Sequence, residues 1–504
     1  MRRALAGLSP LAATFLVVGV ALARPGTPPR SAVHDLLDAA DIDHRGLAAL
    51  DVLALLEEDA SPREKPAPFR VALARPLRLG PDDSGTWETL PAGGRVWRLR
   101  VSSPGAVFLS FKLSELDLPE GAELHFVSVP RAYYDGPYTW RHNRPFGRFG
   151  SPMIPGDSAV IELLLPPGAG RVRLRLESVS HGYRNVMGMG AIPAREGAPA
   201  APTTPPAPLA LAGPIDCQRD VNCPEGAPYQ DVKRAVAEGY DGQFICSGQL
   251  LNNVRQDNRY LYLTAAHCEW WIDPPSMVYY WNYENSGCGT NDAPLTFSTG
   301  STDLYHSAAT DLDLLELDGT DLEGDFDIYF VGWNRSPAAP TAGATISFPS
   351  DKPKQIAIEN DPVSDCAPGG CAGGFGAEFW RVEGWDVGVT EGGSSGAALL
   401  DPDQLLVGVL TGGVGANCNN FVWDEFAKLY PAWANLQPFL DPDASGVVSL
   451  PGKDHAGAVS APAASAWARA LLAGLLLLVA GGKLRGRGAG RSLGRASRPS
   501  SRSS

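Results

Sequence analysis

Short runs of alternating hydrophobic and polar residues occupy the chain from about residue 66 to residue 186. An alternation with a period of two places successive side chains on opposite faces of a β-strand, and turns with proline or glycine separate the runs. The predicted strands are residues 95–103, 105–113, 122–129, 158–165 and 170–179. This pattern predicts a small all-β domain built as a sandwich.

Two neighbouring stretches have different patterns. Residues 32–60 repeat leucine, alanine and acidic residues at helical spacing, which predicts one or two helices. Residues 191–213 contain six prolines among mostly small residues. Such a segment cannot bury a core, so we expect a linker there. Residues 214–442 have the length of one further β-rich domain.

Residues 1–23 have the pattern of a secretory signal peptide. Arg2 and Arg3 precede an apolar stretch, which ends in the small-x-small sequence Ala21-Leu22-Ala23. A membrane anchor is the alternative interpretation, but the apolar stretch is short for one. We therefore expect the protein to be exported, with residues 24–190 as the next segment.

The C-terminal end combines a small-residue spacer (443–465), a hydrophobic helix (466–482) and a basic tail (483–504). The uninterrupted apolar run, 470–482, is short for a membrane-spanning helix, which needs about 20 residues. The positive flank is typical of a cytoplasmic end. A membrane anchor and a surface-sorting signal both fit, and either predicts a secreted or cell-surface protein.

Composition and charge narrow the function classes. Glycine (56) and proline (44) favour turn-rich β structure over long helices. A net charge of −14 argues against a nucleic-acid partner. All eight cysteines lie between Cys217 and Cys418, which predicts a disulfide framework in an exported protein. Zinc is the competing interpretation, but the Cys366–Cys371 spacing is too loose for a paired-thiolate site. No metal or organic cofactor is implied.

A histidine and a serine stand in contexts suited to nucleophilic catalysis. His267 follows a β-like run in YLTAAHCEW, where a disulfide at the adjacent cysteine would hold a general base rigidly. Ser395 lies in TEGGSSGAALLD, where Gly393 and Gly396 permit a tight turn with an exposed hydroxyl. The N–H groups of Gly393 and Ser395 would form an oxyanion hole. For the second motif alone, a structural glycine-rich hairpin is the alternative.

An acid is needed to orient the histidine. The segment ATDLDLLELD offers Asp311, Asp313 and Asp318. Alternation places Asp311 and Asp313 on the same strand face, so the pattern cannot choose between them.

The segments TAAHC, DLDLLEL and GSSG, in this order, resemble the three catalytic motifs of the chymotrypsin-like peptidases, and the match selects Asp311. Residues 214–440 resemble the bacterial lysyl endopeptidases through CQRDVNCPEG, CSGQLLNN, VYYWNYENSGC and VGVTEGGSSG. The resemblance implies an all-β fold, with a small β-sandwich-like propeptide domain before a chymotrypsin-like double β-barrel protease domain. It also implies the disulfides Cys217–Cys418, Cys223–Cys288 and Cys246–Cys268, which leaves Cys366 with Cys371.

The same resemblance suggests substrate-binding residues. Asp424 matches the family's pocket aspartate, with Glu425 or a solvated turn carboxylate as alternatives. Thr411 replaces a family histidine that shapes the lysine pocket, and its hydroxyl would support Asp311. The family's partnering tryptophan has no clear counterpart in residues 361–379. A preference for Lys or Arg before the cleaved bond follows as an expectation.

One further departure concerns activation. Ser394 stands where trypsin-type enzymes have the aspartate that pairs with a newly cut N-terminus. We therefore expect a pre-formed pocket, and a propeptide that blocks the site or assists folding.

The predicted function is a monomeric serine endopeptidase that acts on protein or peptide substrates through an acyl-enzyme. Two alternatives stay open. One is a non-catalytic binding protein on a protease scaffold, and the other is an esterase on the same scaffold.

Overall fold

The computed structural model describes residues 28–61, 67–129, 133–191, 217–293, 295–322, 327–366, 378–414 and 421–455. The expected signal peptide (1–23), the linker beyond residue 191, the hydrophobic segment 466–482 and the basic tail 483–504 lie outside the described residues. Within the described part of the chain, no helix is long and apolar enough to cross a membrane.

Residues 28–191, called the N-terminal region below, consist mainly of β-strands. Its elements are α1 (Arg30–Val33), β1 (His44–Gly46), α2 (Val52–Ala60), β2 (Phe69–Arg70), β3 (Ala72–Leu79), β4 (Thr86–Thr89), β5 (Arg95–Ser102), β6 (Phe108–Leu113), β7 (Glu123–Ser128), β8 (Tyr134–Tyr138), β9 (Phe149–Gly150), β10 (Ile154–Pro155), β11 (Ser158–Leu165) and β12 (Leu176–Gly182). One sheet has the order β1-β5-β11-β7-β8 with β4 beside β5, and the other has the order β10-β6-β12-β3 with β9 beside β6. Buried side chains such as Trp97, Phe111 and Phe126 form a common core, so the region is a β-sandwich.

The predicted helices of residues 32–60 are only partly present. α1 is a single turn, whereas α2 spans nine residues after Asp51, whose carboxylate accepts a hydrogen bond from Ala54 N–H. Between the helices, β1 pairs in parallel with β5. Leu47 packs against the sandwich core. Tertiary pairing therefore overrides the helical spacing of the leucines.

Residues 217–455, called the protease region below, contain two sheets. The elements are β13 (Val236–Tyr240), β14 (Phe244–Leu251), β15 (Leu261–Thr264), β16 (Val278–Tyr280), β17 (Phe297–Thr299), β18 (Ser301–Ser307), β19 (Leu312–Leu317), β20 (Tyr329–Phe330), β21 (Trp333–Asn334), β22 (Gly343–Ser347), β23 (Gln355–Glu359), β24 (Ser364–Cys366), β25 (Phe379–Val382), β26 (Ala398–Leu400), β27 (Leu406–Val414), β28 (Trp423–Lys428), α3 (Leu429–Leu440), β29 (Ser449–Leu450) and β30 (Lys453–Asp454). The first sheet has the order β17-β16-β13-β14-β15-β19-β18, and the second has β23-β22-β26-β27-β28-β25-β24. These sheets form the first and second barrels, and the predicted all-β double-barrel fold is confirmed.

The folded protease region extends past residue 442, the predicted start of the spacer. β29 pairs with β21, and β30 pairs with β20. Leu450 is buried in the core, and the His455 ring stacks on Tyr260. Residues 443–455 therefore belong to the fold, because they cover apolar side chains of the protease region.

The N-terminal region and the first barrel share one hydrophobic core. Val71, Phe108 and Met153 belong to the same buried cluster as the core of the first barrel. Charged pairs surround it, since Asp273 accepts hydrogen bonds from Lys112 (3.2 Å) and from Arg148 (2.6 Å to Nη2). The N-terminal region is thus built onto the barrel that carries His267 and Asp311.

Candidate active site

His267 lies in a short turn, Ala266–Cys268, directly after β15. A disulfide joins Cys268 to Cys246 of β14, which fixes this turn to the neighbouring strand. His267 N–H donates to Asp311 Oδ1 at 2.9 Å, and its Nδ1 lies 2.9 Å from Asp311 Oδ2. The backbone and the imidazole are therefore both held by one carboxylate.

Of the three candidate acids, Asp311 lies within hydrogen-bond distance of the His267 ring. It directly precedes β19, is fully buried and has a positive φ of 51°. Asp313 is also buried, and burial together with the nearby charges of Asp303 and Asp311 raises the pKa of its carboxyl well above the usual range. Asp318 instead accepts a hydrogen bond from Arg144 (3.1 Å) at the interface with the N-terminal region. The structure thus places Asp311 beside His267 and distinguishes it from Asp313, a choice that alternation alone could not make.

Ser395 lies on a tight turn before β26, and two glycines shape this turn. Gly393 has φ 97°, and a Cβ on it would approach the carbonyl oxygen of Phe348 to 2.6 Å. Gly396 has φ 87°, and a Cβ there would overlap Thr264 Oγ1. Only glycine satisfies both the positive φ and the close approach.

The turn is fastened to the first barrel through Ser247 of β14. Ser247 N–H donates to Ser395 O (2.8 Å), and Ser247 Oγ donates to Gly393 O (2.9 Å). Among the described residues, the N–H groups of Gly393 and Ser395 donate to no acceptor. Two free N–H groups on a fixed turn are the requirement of an oxyanion hole.

Ser394 also holds the nucleophile turn in place through hydrogen bonds. Its side chain is fully buried, and its Oγ lies 2.9 Å from Ser347 Oγ of β22. Glu391 N–H also donates to Ser394 Oγ (3.3 Å). The nucleophile turn is therefore tied down by neutral hydrogen bonds at the position where trypsin-type enzymes use a charged pair.

His267 Nε2 is buried and has no hydrogen-bond partner within the described residues. A hydrogen bond from Ser395 Oγ to this nitrogen is thus not formed here. Catalytic hydrogen bonds are often long or poorly aligned before substrate binds. The bond between His267 and Asp311, by contrast, is already in place.

Asp424 is a buried acid with one oxygen occupied and one free. It lies on β28, and its Oδ2 accepts hydrogen bonds from Thr390 Oγ1 (2.6 Å) and Trp385 Nε1 (2.8 Å). Its Oδ1 has no partner among the described residues and lies against Gly413, where a Cβ would overlap it. Burial raises the pKa of Asp424 to about 6, although the two hydrogen bonds favour the charged form.

Two hydrogen-bond partners of Asp424, Trp385 and Thr390, were not predicted from the sequence. Trp385 supplies an indole N–H to Asp424 from outside residues 361–379, where a family tryptophan was expected. Thr390 opens the nucleophile motif, so its nearness to Ser395 along the chain was the available signal. Glu425, the competing pocket acid, is paired with Arg381 (2.5 Å) and is therefore already neutralised.

Thr411 does not make the predicted contact. Its side chain is buried, but its hydroxyl has no hydrogen-bond partner among the described residues. Asp311 therefore receives no hydrogen bond from Thr411 in this structure.

Two of the predicted disulfides, Cys223–Cys288 and Cys246–Cys268, are confirmed. Cys217 and Cys366 are disulfide-bonded as well, whereas Cys371 and Cys418 lie outside the described residues. Cys246, His267 and Cys268 lie close enough together to suggest a metal site, but the two sulfur atoms are bonded to each other.

Comparisons with known proteins give matches to both regions of the chain. Residues 213–427 match the model of the lysyl endopeptidase C-terminal domain, and residues 46–183 match that of the lysyl endopeptidase N-terminal domain. The lysyl endopeptidase of Pseudomonas aeruginosa is 29% identical over 361 residues, which cover 65% of this chain and 71% of that protein.

Solved structures share less sequence identity with this chain. The HtrA-type protease AlgW with tripeptide is 16% identical, with a TM-score of 0.30, over 42% of this chain and 62% of its own. The Rv3671c protease from M. tuberculosis, active form, is 15% identical, with a TM-score of 0.29, over 43% of this chain and 84% of its own. Values this low support no conclusion by themselves.

The β-rich double-barrel fold and the family matches define a serine endopeptidase. Within that class, the chain is a lysyl endopeptidase-like serine protease.

Proposed function

We propose that the protein cleaves peptide bonds after lysine, with Asp424 as the acid that binds the lysine side chain. The observation that carries the proposal is a fully buried carboxylate beside Thr390, five residues before Ser395, whose Oδ1 has no partner among the described residues. A buried acid with an unpartnered oxygen lacks compensation until a cation arrives. A positively charged side chain supplies that cation.

Lysine fits this acid better than arginine does. Asp424 Oδ2 already accepts two hydrogen bonds, so only Oδ1 is available to a substrate. A guanidinium binds a carboxylate best through two parallel hydrogen bonds, which need both oxygens. An ammonium is a compact charge that one oxygen can accept.

The proposed chemistry is acyl transfer. His267 takes the Ser395 proton as the hydroxyl oxygen attacks the carbonyl carbon, and Asp311 holds the imidazole and stabilises its cation. The N–H groups of Gly393 and Ser395 bind the oxyanion of the tetrahedral intermediate. His267 then protonates the leaving amine, and water hydrolyses the acyl-enzyme to regenerate Ser395.

We further propose that residues 24–190 are a propeptide and that the mature enzyme is secreted or attached to the cell surface. The signal-like residues 1–23 and the disulfides of the protease region support export. The bond between Ser394 and Ser347 supports activation without an N-terminal ion pair. Residues 466–482 with the basic tail stay proposed as an anchor or a sorting signal.

The pocket is tested with three peptides that differ only in the residue before the cleaved bond: lysine, arginine or uncharged norleucine. In the processed enzyme we expect kcat/KM to fall in that order. Asp424→Asn should lower kcat/KM for the lysine peptide by about 10²- to 10³-fold and leave the norleucine peptide nearly unchanged.

Asp386→Asn is the matched control, because Asp386 is an exposed carboxylate next to Trp385 that accepts hydrogen bonds from Asn360. It should leave the order of the three peptides intact. Equal losses for lysine and norleucine in Asp424→Asn would show that Asp424 supports the fold rather than the substrate.

A further inference from the structure

A short strand of the N-terminal region lies beside the nucleophile turn. β2 pairs antiparallel with the start of β14, with Phe69 opposite Ile245 and Arg70 opposite Phe244. Val71 N–H and Ala72 N–H then donate to Gln243 O, at 2.8 and 3.1 Å. The N-terminal region thus adds a strand to the edge of the first barrel.

The position of β14 ties this strand to the site. One residue after Ile245, Cys246 forms the disulfide with the His267 turn. The next residue, Ser247, holds the nucleophile turn through Ser395 O and Gly393 O. β2 therefore occupies the edge that leads directly to the reacting atoms.

The Phe69 side chain reaches the nucleophile turn itself. A Cβ on Gly392, the residue before Gly393, would lie 2.8 Å from Phe69 Cδ2. The aromatic ring therefore rests on the residue next to the oxyanion hole. A peptide that passed through the same space would meet this ring.

The chain direction identifies which half of a substrate is displaced. β14 approaches Ser395 as its residue numbers rise, and β2 is antiparallel, so the residues before Phe69 run towards the nucleophile and those after it run away. The lysine-binding acid Asp424 lies in the second barrel, whereas β2 lies on the first. β2 thus follows the course of the leaving-group half of a substrate.

Contacts within the N-terminal region hold this strand rigidly. Arg70 Nε donates to Asp59 Oδ1 (2.8 Å), and Asp59 Oδ2 accepts hydrogen bonds from Tyr183 OH (2.6 Å) and Arg184 Nη2 (2.8 Å). The Arg184 guanidinium also lies 4.7 Å from the centroid of the Phe69 ring. The strand is therefore preorganised, and little conformational entropy is lost when it occupies the groove.

We propose that Phe69 and Arg70 keep the enzyme latent by occupying the leaving-group side of the substrate groove as an added antiparallel strand, with Phe69 covering Gly392. This rests on the proposed function, since it assigns the propeptide its blocking contact. The block does not depend on the linker, because the N-terminal region shares a core with the first barrel. Cutting the linker alone leaves the groove occupied.

The test uses the full chain and a fluorophosphonate probe that phosphonylates the nucleophilic serine with loss of fluoride. A denaturing gel separates the unprocessed from the processed chain, so the labelling rate is read on each band. Phe69→Gly should label the unprocessed band about 10- to 100-fold faster than the parent does. Phe69→Leu keeps an apolar side chain on the strand and should stay within about twofold of the parent.

Lys112→Ala is the second control, because it removes an ion pair with Asp273 at the same interface without touching β2. It should also stay within about twofold. An unchanged rate in Phe69→Gly, or an equal rise in Lys112→Ala, would overturn the inference. If processed bands of every variant fail to label, the proposed function fails instead.

Hydrogen exchange covers the case in which Phe69→Gly does not fold. In the full chain with Ser395→Ala, the amides of Val71 and Ala72 should exchange slowly, since both donate to Gln243 O. Rapid exchange at these two amides would show that the strand does not occupy the groove and would overturn the proposal.

Discussion

The two barrels contribute acids that differ in how completely they are satisfied. In the first barrel, Asp311 is bonded to both the backbone and the ring of His267, at 2.9 Å in each case. In the second barrel, Asp424 keeps one buried oxygen without a partner among the described residues. The first acid is therefore satisfied within the protein, whereas we propose that a substrate side chain completes the second.

Under the proposed function, this difference between Asp311 and Asp424 explains how one site can combine rigidity with selectivity. A general base must be positioned before the reaction, so the bonds between its acid and its ring are formed in advance. A specificity acid must instead lose stability when the wrong side chain binds, and an unpartnered buried carboxylate does so. The N-terminal region is built mainly onto the first barrel, yet it reaches the nucleophile turn of the second through Phe69.

The largest effect on kcat is expected at Asp311, which directly precedes β19; Asp313, which lies on β19, serves as the comparison. Asp311→Asn should lower kcat by about 10⁴-fold, because an amide donates to the ring and imposes the wrong tautomer. Asp313→Asn is the matched control and should stay within about threefold, since its raised pKa already favours the uncharged form. Steady-state kinetics on one lysine peptide measures both. Similar losses of kcat in the two variants would contradict the assignment of Asp311 as the acid that orients His267.

The pH dependence sharpens the role of Asp424. Its pKa is raised to about 6, so the carboxylate is charged above that pH and becomes neutral as the pH falls through it. The ratio of kcat/KM for lysine over norleucine peptides should be constant above pH 7 and fall by up to about tenfold per unit below pH 6. Any pH effect that is common to both substrates cancels in the ratio. A ratio that stays flat from pH 5 to pH 8 would exclude Asp424 as the selective acid.

A smaller effect concerns the hydrogen bond that holds Asp424. Thr390→Val removes the donor at 2.6 Å with little change of shape. We expect kcat/KM for the lysine peptide to fall about tenfold at pH 7, because a hydrogen bond to a charged group is lost. The midpoint of the pH-dependent ratio should also move upward, since the charged form is less stabilised. A downward shift would contradict the geometry.

The smallest effect on kcat/KM is expected when valine replaces Thr411, whose hydroxyl has no partner among the described residues. Thr411→Val should change kcat/KM by less than about twofold, and it should not lower the melting temperature, because no hydrogen bond within the described residues is lost. A loss close to that of Thr390→Val would mean that Thr411 supports Asp311 during the reaction after all.

Local sequence context identified His267 and Ser395 as candidates, whereas only the resemblance to the chymotrypsin-like peptidases selected Asp311. Alternation of hydrophobic residues predicted the β-rich N-terminal region, and the resemblance implied the double-barrel fold. The helices of residues 32–60 were overpredicted, because helical spacing does not report the pairing of β1 with β5.

Contacts between distant residues could not be predicted. Trp385 is 39 residues from Asp424, and Ser347 is 47 residues from Ser394. Neither pair belongs to a local pattern, since only the pairing of the strands around them brings the side chains together. The strand β2 is likewise two residues long, too short for a pattern of alternation to identify.

In the proposed function, Ser395 cuts chains after lysine residues whose side chains Asp424 binds. The most direct measurement is digestion of an unstructured protein by the processed enzyme and by its Ser395→Ala variant, with every cut bond mapped by mass spectrometry. We expect cuts that follow lysine almost exclusively and that vanish in the variant. Cuts without regard to lysine would contradict the pocket, and cuts that persist in the variant would contradict the nucleophile.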